Sequence, residues 1–314
     1  MNHRAAGRAA AVRGPLLTCA LALVLVLSAC GGDDGTTKTN ATSSGPPVRI
    51  GTKNFTEQYI LGELYKQALE AKGFAVELKG DVGSSEIIHQ ALVGGALDMY
   101  PEYVDLLLSE VANVRKRPRK AAAVYRAAKA YEQGRGFTLL AQTPFNDANA
   151  IAVRKEYASR HGLRTIADLR RVHSVTLGAP PEFRTRFEGL MGLEELYRLK
   201  NLKLKRMKIP GQYAQLAGNH IDAARVNTTD GQLADRDFEL LADPHRLFAA
   251  NHVAPVISRK ALSAHGQRLV QTIDAVSAKL TTSAMRKMNA AVDIDGRTPR
   301  DVAAAFLREA GLRT

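Results

Sequence analysis

The sequence predicts an α/β protein made of two similar lobes, each a mainly parallel sheet flanked by helices. Two observations carry this. From Val48 to Pro101 the hydrophobic period switches between 2 and 3.6 in the order strand, helix, strand, helix, strand, and such alternation favours a parallel sheet covered on both faces. In addition, QALVGGALDMY at 90–100 returns as AQLAGNHIDAA at 214–224, with Leu, Gly and Asp at matching offsets and Ile221 in place of Leu97. Each copy reads as a helix end, a glycine turn and a strand edge carrying Asp, which supports a repeated lobe.

The elements follow in order. Val48–Gly51 alternates as a short buried strand, and IGTKNFTEQYILGEL (50–64) then changes to helical period. Asn54 followed by Glu57 is a capping-box-like start, with Ile60, Leu61 and Leu64 on one face of a helix running toward Gly73. This turn lies at the carboxyl end of a strand, where open α/β sheets bind ligands, and it offers the Lys53 ammonium beside free backbone donors. Two readings stand at this point: an anion-binding turn, or a solvated lysine next to an ordinary cap. Residues 74–79 alternate as a strand, and Ser84-Ser85 starts a second helix with Ile87, Ile88, Ala91 and Leu92 inward. A lone histidine on that helix, His89, reads as a surface or internally satisfied residue. Gly94-Gly95 ends the helix, and 97–100 is a strand closed by Pro101.

The basic run RKRPRK (115–120) reads as a solvated loop before a helix over Ala121–Gln133. A second series has strands at 150–154, Val175–Ala179, 202–207 and 223–226, with helices at 165–171 and 213–217. Then come an apolar strand at 252–257, a long amphipathic helix at 260–280, and a last helix started by Thr298-Pro299 with Asp301 three places on.

The first 29 residues are expected to form no part of either lobe. Arg4, Arg8 and Arg13 make a positive region without an acid, residues 16–27 are apolar, and Leu27-Ser28-Ala29-Cys30 follows. That ending resembles the lipobox of bacterial lipoproteins, which implies a signal peptide at 1–29, a lipidated Cys30 as the mature N-terminus, and an extracytoplasmic, membrane-anchored address. Residues 30–47, rich in Gly, Ser, Thr and Asp, read as a flexible tether.

Composition narrows the function. Of two cysteines, Cys19 lies in the leader and Cys30 is the anchor, so the body has no thiol for a disulfide, a nucleophile or a zinc site. Without the three leader arginines, 41 Lys+Arg stand against 31 Asp+Glu, a formal +10, which suits anionic headgroups; the exported address argues against nucleic acid. No G-x-S-x-G elbow, H-E-x-x-H or close His/Asp cluster is present, so neither an enzyme nor a cofactor or metal site is expected.

From residue 48 to the C-terminus the chain resembles the substrate-binding proteins of ABC importers for glycine betaine, choline, carnitine and related osmoprotectants. The resemblance rests on IGTKNFTEQYILGEL, DVGSSEIIHQALVGGALDMYPEY (81–103), PEFRTRFEGLMGL (181–193), NTTDGQL (227–233) and NHVAPVIS (251–258). It implies a two-lobed, periplasmic-binding-protein-like fold of type II with two hinge crossovers. Lobe 1 is expected at 48–148 plus 252–314 and lobe 2 at 149–251, closing on a small solute that is handed to an ABC permease and its ATPase. It also implies that Lys53 and Arg186 hold a carboxylate and that Tyr103 is one wall of an aromatic box for a quaternary ammonium. Ser85 and Asp230 fall at the rim or behind it. Where the family has further tyrosines this chain has Asn149, Asn227 and Asn251, and Val104-Asp105-Leu106 replaces a threonine. Three amides in place of three ring faces suit a more polar, non-quaternary solute, so weak affinity for glycine betaine is expected. The other reading makes them hinge residues that never meet ligand. A sensor built on the same clamp is a further alternative.

Overall fold

The computed structural model describes residues 45–114, 118, 120–207, 211–234 and 237–313. The expected leader, Cys30, the tether up to residue 44, and 115–117 and 119 of the basic run lie outside them.

Ten strands form two sheets. They are β1 Val48–Gly51, β2 Val76–Lys79, β3 Met99–Tyr103, β4 Phe137–Leu139, β5 Asn149–Arg154, β6 Val175–Ala179, β7 Leu202–Arg206, β8 Ala223–Asn227, β9 Phe238–Leu241 and β10 Val253–Ser258. The first sheet has the order β2-β1-β3-β10-β4 and the second β7-β6-β8-β5-β9. In each, four strands run one way and one runs against them: β10 is antiparallel to β3 and β4, and β5 to β8 and β9. The sheets are therefore mixed, with the parallel direction in the majority. The reversed strands are the two that enter from the other sheet without a helical crossover in their own, and a helical crossover is what parallel pairing requires.

The main helices are α1 Thr56–Ala71, α2 Ser85–Val93, α3 Ala121–Gln133, α4 Lys155–His161, α5 Gln212–Ala217, α6 Arg259–Lys279, α7 Thr282–Asp293 and α8 Pro299–Glu309. One face of the first sheet is covered by α1, α6, α7 and α8, through Ile60, Leu61, Leu64, Leu69, Ile273, Met285 and Leu307. Its other face is covered by α2 and α3, through Ile88, Leu92, Tyr100, Val124 and Ala128. Each fully buried aliphatic side chain contributes about 1.5 to 3 kcal/mol. The second sheet is likewise sandwiched between two apolar clusters.

The repeat seen in the sequence is a repeat of structure. Asp98 accepts from the Arg49 backbone N–H at 2.9 Å, and Asp222 accepts from the Thr176 N–H at 2.8 Å. In return the Asp98 N–H bonds Arg49 C=O and the Asp222 N–H bonds Thr176 C=O. Each aspartate thus ties β3 to β1, or β8 to β6, at the same place in its sheet.

Several expectations need correction. The capping box at Asn54 and Glu57 does not form, because α1 starts two residues later with Phe55 as N-cap; Asn54 is exposed and Glu57 turns inward. Pro101 does not close a strand but lies within β3, opposite Pro255 of β10. A bond of the same ladder runs from Val104 N–H to His252 C=O, and since bonded pairs alternate along an antiparallel ladder, the two prolines face each other at a position where neither owes the other a hydrogen bond. Ile87, expected inward, is 53% exposed, while Ile88 and Leu92 fill the core. The helix at 165–171 is a 3-10 turn, Ile166–Arg171, held by a capping box of Thr165 and Asp168. The long C-terminal helix α6 contains Gly266 at φ +67°, a break that glycine alone adopts without strain.

Candidate functional site

The connections between the sheets run side by side, with Asn146 bridging His252 across them. The His252 ring lies 2.8 Å from Phe145 C=O and the Asp147 N–H donates to Asn251 C=O at 3.1 Å. Around this crossing the ends of β1, β3, β5 and β8 and the start of α1 bring together the polar side chains of the candidate site.

On the first sheet's side, Lys53 extends from the end of β1 but is neither a free ammonium nor a solvated turn lysine. It is 4% exposed, forms an ion pair with Glu102, donates to Ser85 Oγ at 2.7 Å, and lies 4.9 Å from the Tyr103 ring centre. Tyr103 is 1% exposed, stacks on Phe55 at 6.0 Å and donates to Glu57 Oε1 at 2.7 Å. Burial and the Glu57 carboxylate push its phenol well above the ordinary value. Tyr100, on the opposite face of β3, is a fully buried core ring against His89. His89 is itself buried, its Nδ1 lying 3.2 Å from the Tyr100 hydroxyl.

On the second sheet's side, Asn149 and Asn227 are directly opposed across β5 and β8. The Asn149 amide oxygen accepts from Arg225, which lies two residues before Asn227 on the same face of β8. Arg186 is exposed, and its charge adds to burial in pulling the Arg225 guanidinium down. Asp230 accepts from the Tyr213 hydroxyl at 2.9 Å and from the Asn227 N–H at 3.0 Å. The amide oxygen of Asn251 is 3.3 Å from the Asp105 N–H, which puts this side chain at the crossing, against the short helical turn Val104–Leu106.

Lys53, Tyr103 and Ser85 therefore form one group, and Asn149, Asn227 and Asp230 another. Residues that sequence reasoning left without a role join the two. Asn289 of α7 donates to Glu57 Oε2 at 3.0 Å and to Thr229 C=O at 2.8 Å, and the Thr229 hydroxyl donates to Asp147 Oδ1 at 3.0 Å. Arg286 Nε donates to Thr228 C=O at 2.5 Å. Glu57 and Asp147 are both pushed upward, first by burial; each other's or a neighbouring charge adds to this. Arg225 was detectable as a lone charged residue in an otherwise apolar strand (AARVN), whereas Asn289 sits on a helix 232 residues from Glu57 and gave no local signal. A cavity of about 530 Å³ lined by Glu86, His89, Tyr131, Arg135 and Phe137 among others shares none of these groups.

Two mixed sheets of matching strand order, joined by two adjacent crossovers with polar groups converging beside them, define a periplasmic-binding-protein fold of type II, the class of solute-binding clamps. Residues 46–309 match the family described as the substrate binding domain of ABC-type glycine betaine transport system, and the chain belongs to that family. It is 32% identical to a glycine-betaine-binding protein of Pseudomonas aeruginosa PAO1, over 83% of this chain and 87% of that protein. It is 28% identical to the ergothioneine transport permease/ergothioneine binding protein EgtU of Helicobacter pylori G27, over 85% of this chain and 48% of that longer protein. Among solved structures, that of a glycine betaine/carnitine/choline ABC transporter superposes with a TM-score of 0.80 at 24% identity, covering 84% of this chain and 99% of that one. The chain is thus an extracytoplasmic substrate-binding protein of the glycine betaine/osmoprotectant type of ABC transporter, a carrier of small solutes to a permease.

Proposed function

We propose that this chain captures a small zwitterionic solute between lobes divided at 148/149 and 251/252, and that Lys53, Tyr103, Asn149, Arg186, Asn227 and Asn251 surround it. Ser85 and Asp230 act from behind, by positioning Lys53 and Asn227. Arg225 joins Arg186 on the carboxylate of the solute, since a guanidinium presents a fork that matches a carboxylate. The closed form docks on a permease driven by an ATPase, and a lipid on Cys30 keeps the clamp at the membrane. No chemical step is assigned to the protein.

The observation that carries this reading is the Arg225–Asn149 bond beside Arg186: a cationic, amide-rich wall on one sheet, next to the Tyr103–Glu57 wall of the other. Glycine betaine and ergothioneine, named for two of the relatives, both pair a carboxylate with a trimethylammonium. Asn149, Asn227 and Asn251 favour a solute with more hydrogen-bonding capacity than glycine betaine, because an amide offers a donor and an acceptor but no ring face.

The test is a melting-temperature screen of the mature chain against betaines, choline, carnitine, amino acids, polyols and small sugars, followed by calorimetry on the hits. At least one zwitterion is expected to raise the midpoint, and Arg186→Ala with Arg225→Ala to abolish the shift. Unchanged affinity in both variants would remove the proposed carboxylate wall. Loss of membrane association on Cys30→Ser tests the anchor.

A further inference from the structure

Resting on the capture reading above, we propose that Phe55 and Phe187 close as two opposed ring faces on a flat group of the solute, so that the preferred solute is a carboxylate carried on a planar, cationic ring and not on a trimethylammonium.

The chain has nine Phe, nine Tyr and no Trp. All of these rings fall among the described residues, and only two are exposed, Phe55 at 40% and Phe187 at 44%. A single exposed phenylalanine is ordinary, but the placement of this pair is not scattered. Phe55 stands two residues beyond Lys53, and Phe187 follows Arg186 directly. The strands that lead to them correspond: β1 and β6 each hold the second place in their sheet, and each is tied to its neighbour by an equivalent aspartate, Asp98 or Asp222. Both rings therefore lie on the segment that leaves the carboxyl end of matching strands, where such sheets bind ligands, one on each sheet and each beside a cation of the candidate site.

Tyr103 stands behind the first of these rings. It is 1% exposed, with Lys53 Nζ 4.9 Å from its centre and Phe55 stacked on it at 6.0 Å with 27° between the planes. Tyr103 thus holds Phe55 in place, and the outward ring is that of Phe55. Two rings on opposite lobes can enclose a flat group from both sides, which is the arrangement that stacked rings favour. A trimethylammonium points methyl groups in several directions and is cradled by ring faces from several sides. Here the remaining sides belong to Asn149, Asn227 and Asn251, whose amides suit the polar edge of a planar ring better than methyl groups.

Calorimetric titration of the mature chain with zwitterions of similar size and different shape decides the matter. Trigonelline and imidazole-4-acetate carry a carboxylate on a flat, cationic ring; N-methylnipecotate is the puckered, saturated counterpart of trigonelline, and glycine betaine supplies the trimethylammonium. At least one of the two ring solutes is expected to bind about tenfold or more tightly than N-methylnipecotate and glycine betaine. Phe55→Leu and Phe187→Leu keep apolar bulk at exposed positions and remove the ring face; each should weaken that ring solute about fivefold or more while leaving the two others within about twofold, and Phe55→Tyr should keep the preference. If neither ring solute is preferred, or if both leucine variants keep full affinity for it, this inference falls and capture stands on whichever other zwitterion binds. Leucine variants that bind solute normally but fail in permease-driven uptake would make the two rings a docking surface and overturn the inference as well. If no zwitterion in the wider screen binds at all, both fall.

Discussion

The Lys53 ammonium is bonded to the Glu102 carboxylate, and the two side chains are 5% and 1% exposed. The partnership joins the end of β1 to β3 of the first sheet and leaves the second Glu102 oxygen without a hydrogen-bond partner among the described residues. A buried ion pair of this kind is costly to break from one side, since the survivor remains charged and unsolvated. Lys53→Ala is therefore expected to destabilise the fold by about 3 to 5 kcal/mol before any effect on binding is considered. The double variant Lys53→Met with Glu102→Leu should recover most of that loss. Thermal melts of the three proteins check it; a single variant as stable as the parent would contradict the pairing.

Arg225 supplies a donor to Asn149 from two residues away from Asn227 on the same strand face. Arg225→Lys keeps the charge but loses the planar fork, and Arg225→Ala loses both. Affinity for whichever zwitterion binds should fall about tenfold or less for the first, and about a hundredfold or more for the second, as each tenfold corresponds to about 1.4 kcal/mol. Equal losses would mean that the arginine acts through charge alone.

Glu132 of α3 is fully buried, has no hydrogen bond on either oxygen among the described residues, and lies 3.9 Å from His89 Nδ1. Burial pushes its carboxyl up to about 7, with Arg135 opposing and Glu102 adding to the rise. A carboxyl raised on folding binds its proton more tightly in the folded state. Its contribution to stability is therefore complete below the ordinary carboxylate value and is lost as pH rises through about 7. His89 works the other way: burial, helped by Arg135, pulls it down, so it opposes folding as pH falls below the ordinary histidine value. Relative to the parent, Glu132→Gln is expected to gain up to about 3 kcal/mol between pH 5 and pH 8. Denaturant melts at both pH values give the difference directly, and a parallel pH dependence in the two proteins would exclude the role of Glu132.

Asp98 and Asp222 occupy the same place in the two sheets, but only Asp98 is also gripped by an arginine. Arg49 Nε and Nη2 reach its two oxygens at 2.9 and 2.8 Å. Burial raises the Asp98 carboxyl, and the bonds from Arg49 outweigh this and hold it below the ordinary aspartate value. Asp222→Ala should cost about 1 to 3 kcal/mol, the penalty for an inward N–H on Thr176 that loses its acceptor. Asp98→Ala should cost more, as it also strands the Arg49 guanidinium. Midpoints of urea unfolding rank the two; the reverse order would show that the paired arginine adds nothing.

Gly231 packs so closely on α7 that a Cβ there would lie 2.6 Å from Ala290 N. Gly231→Val is expected to push the turn at 231–234 away from α7 and weaken the Asn289–Thr229 and Arg286–Thr228 bonds. Small-angle scattering and solute affinity should report a more open, weaker clamp, while an unchanged radius would show that the seam yields elsewhere.

The order of elements was legible because each strand and helix here is written in a local period, and the repeated Leu, Gly and Asp pattern is read at a fixed offset that folding does not alter. The family could be recognised from contiguous motifs for the same reason. Glu57 shows where such reading stops. Its spacing from Asn54 fits a cap, but helix α1 begins at Thr56, and the carboxylate goes to Tyr103 and Asn289, which local sequence does not bring near. Ile87 was misread because period alone does not say where a nine-residue helix's buried stripe is centred.

By itself, then, the chain determined its alternation of elements, its two-sheet architecture and the kinds of side chain available to a solute, all of which depend on neighbours within a few residues. Tertiary structure alone decided how those side chains are spent: Lys53 on Glu102, Arg225 on Asn149, and Asn289 between Glu57 and Thr229. The reason is that a buried charge or amide is settled by whichever opposite group the fold carries to within about 3 Å of it, and that distance is not written in sequence separation.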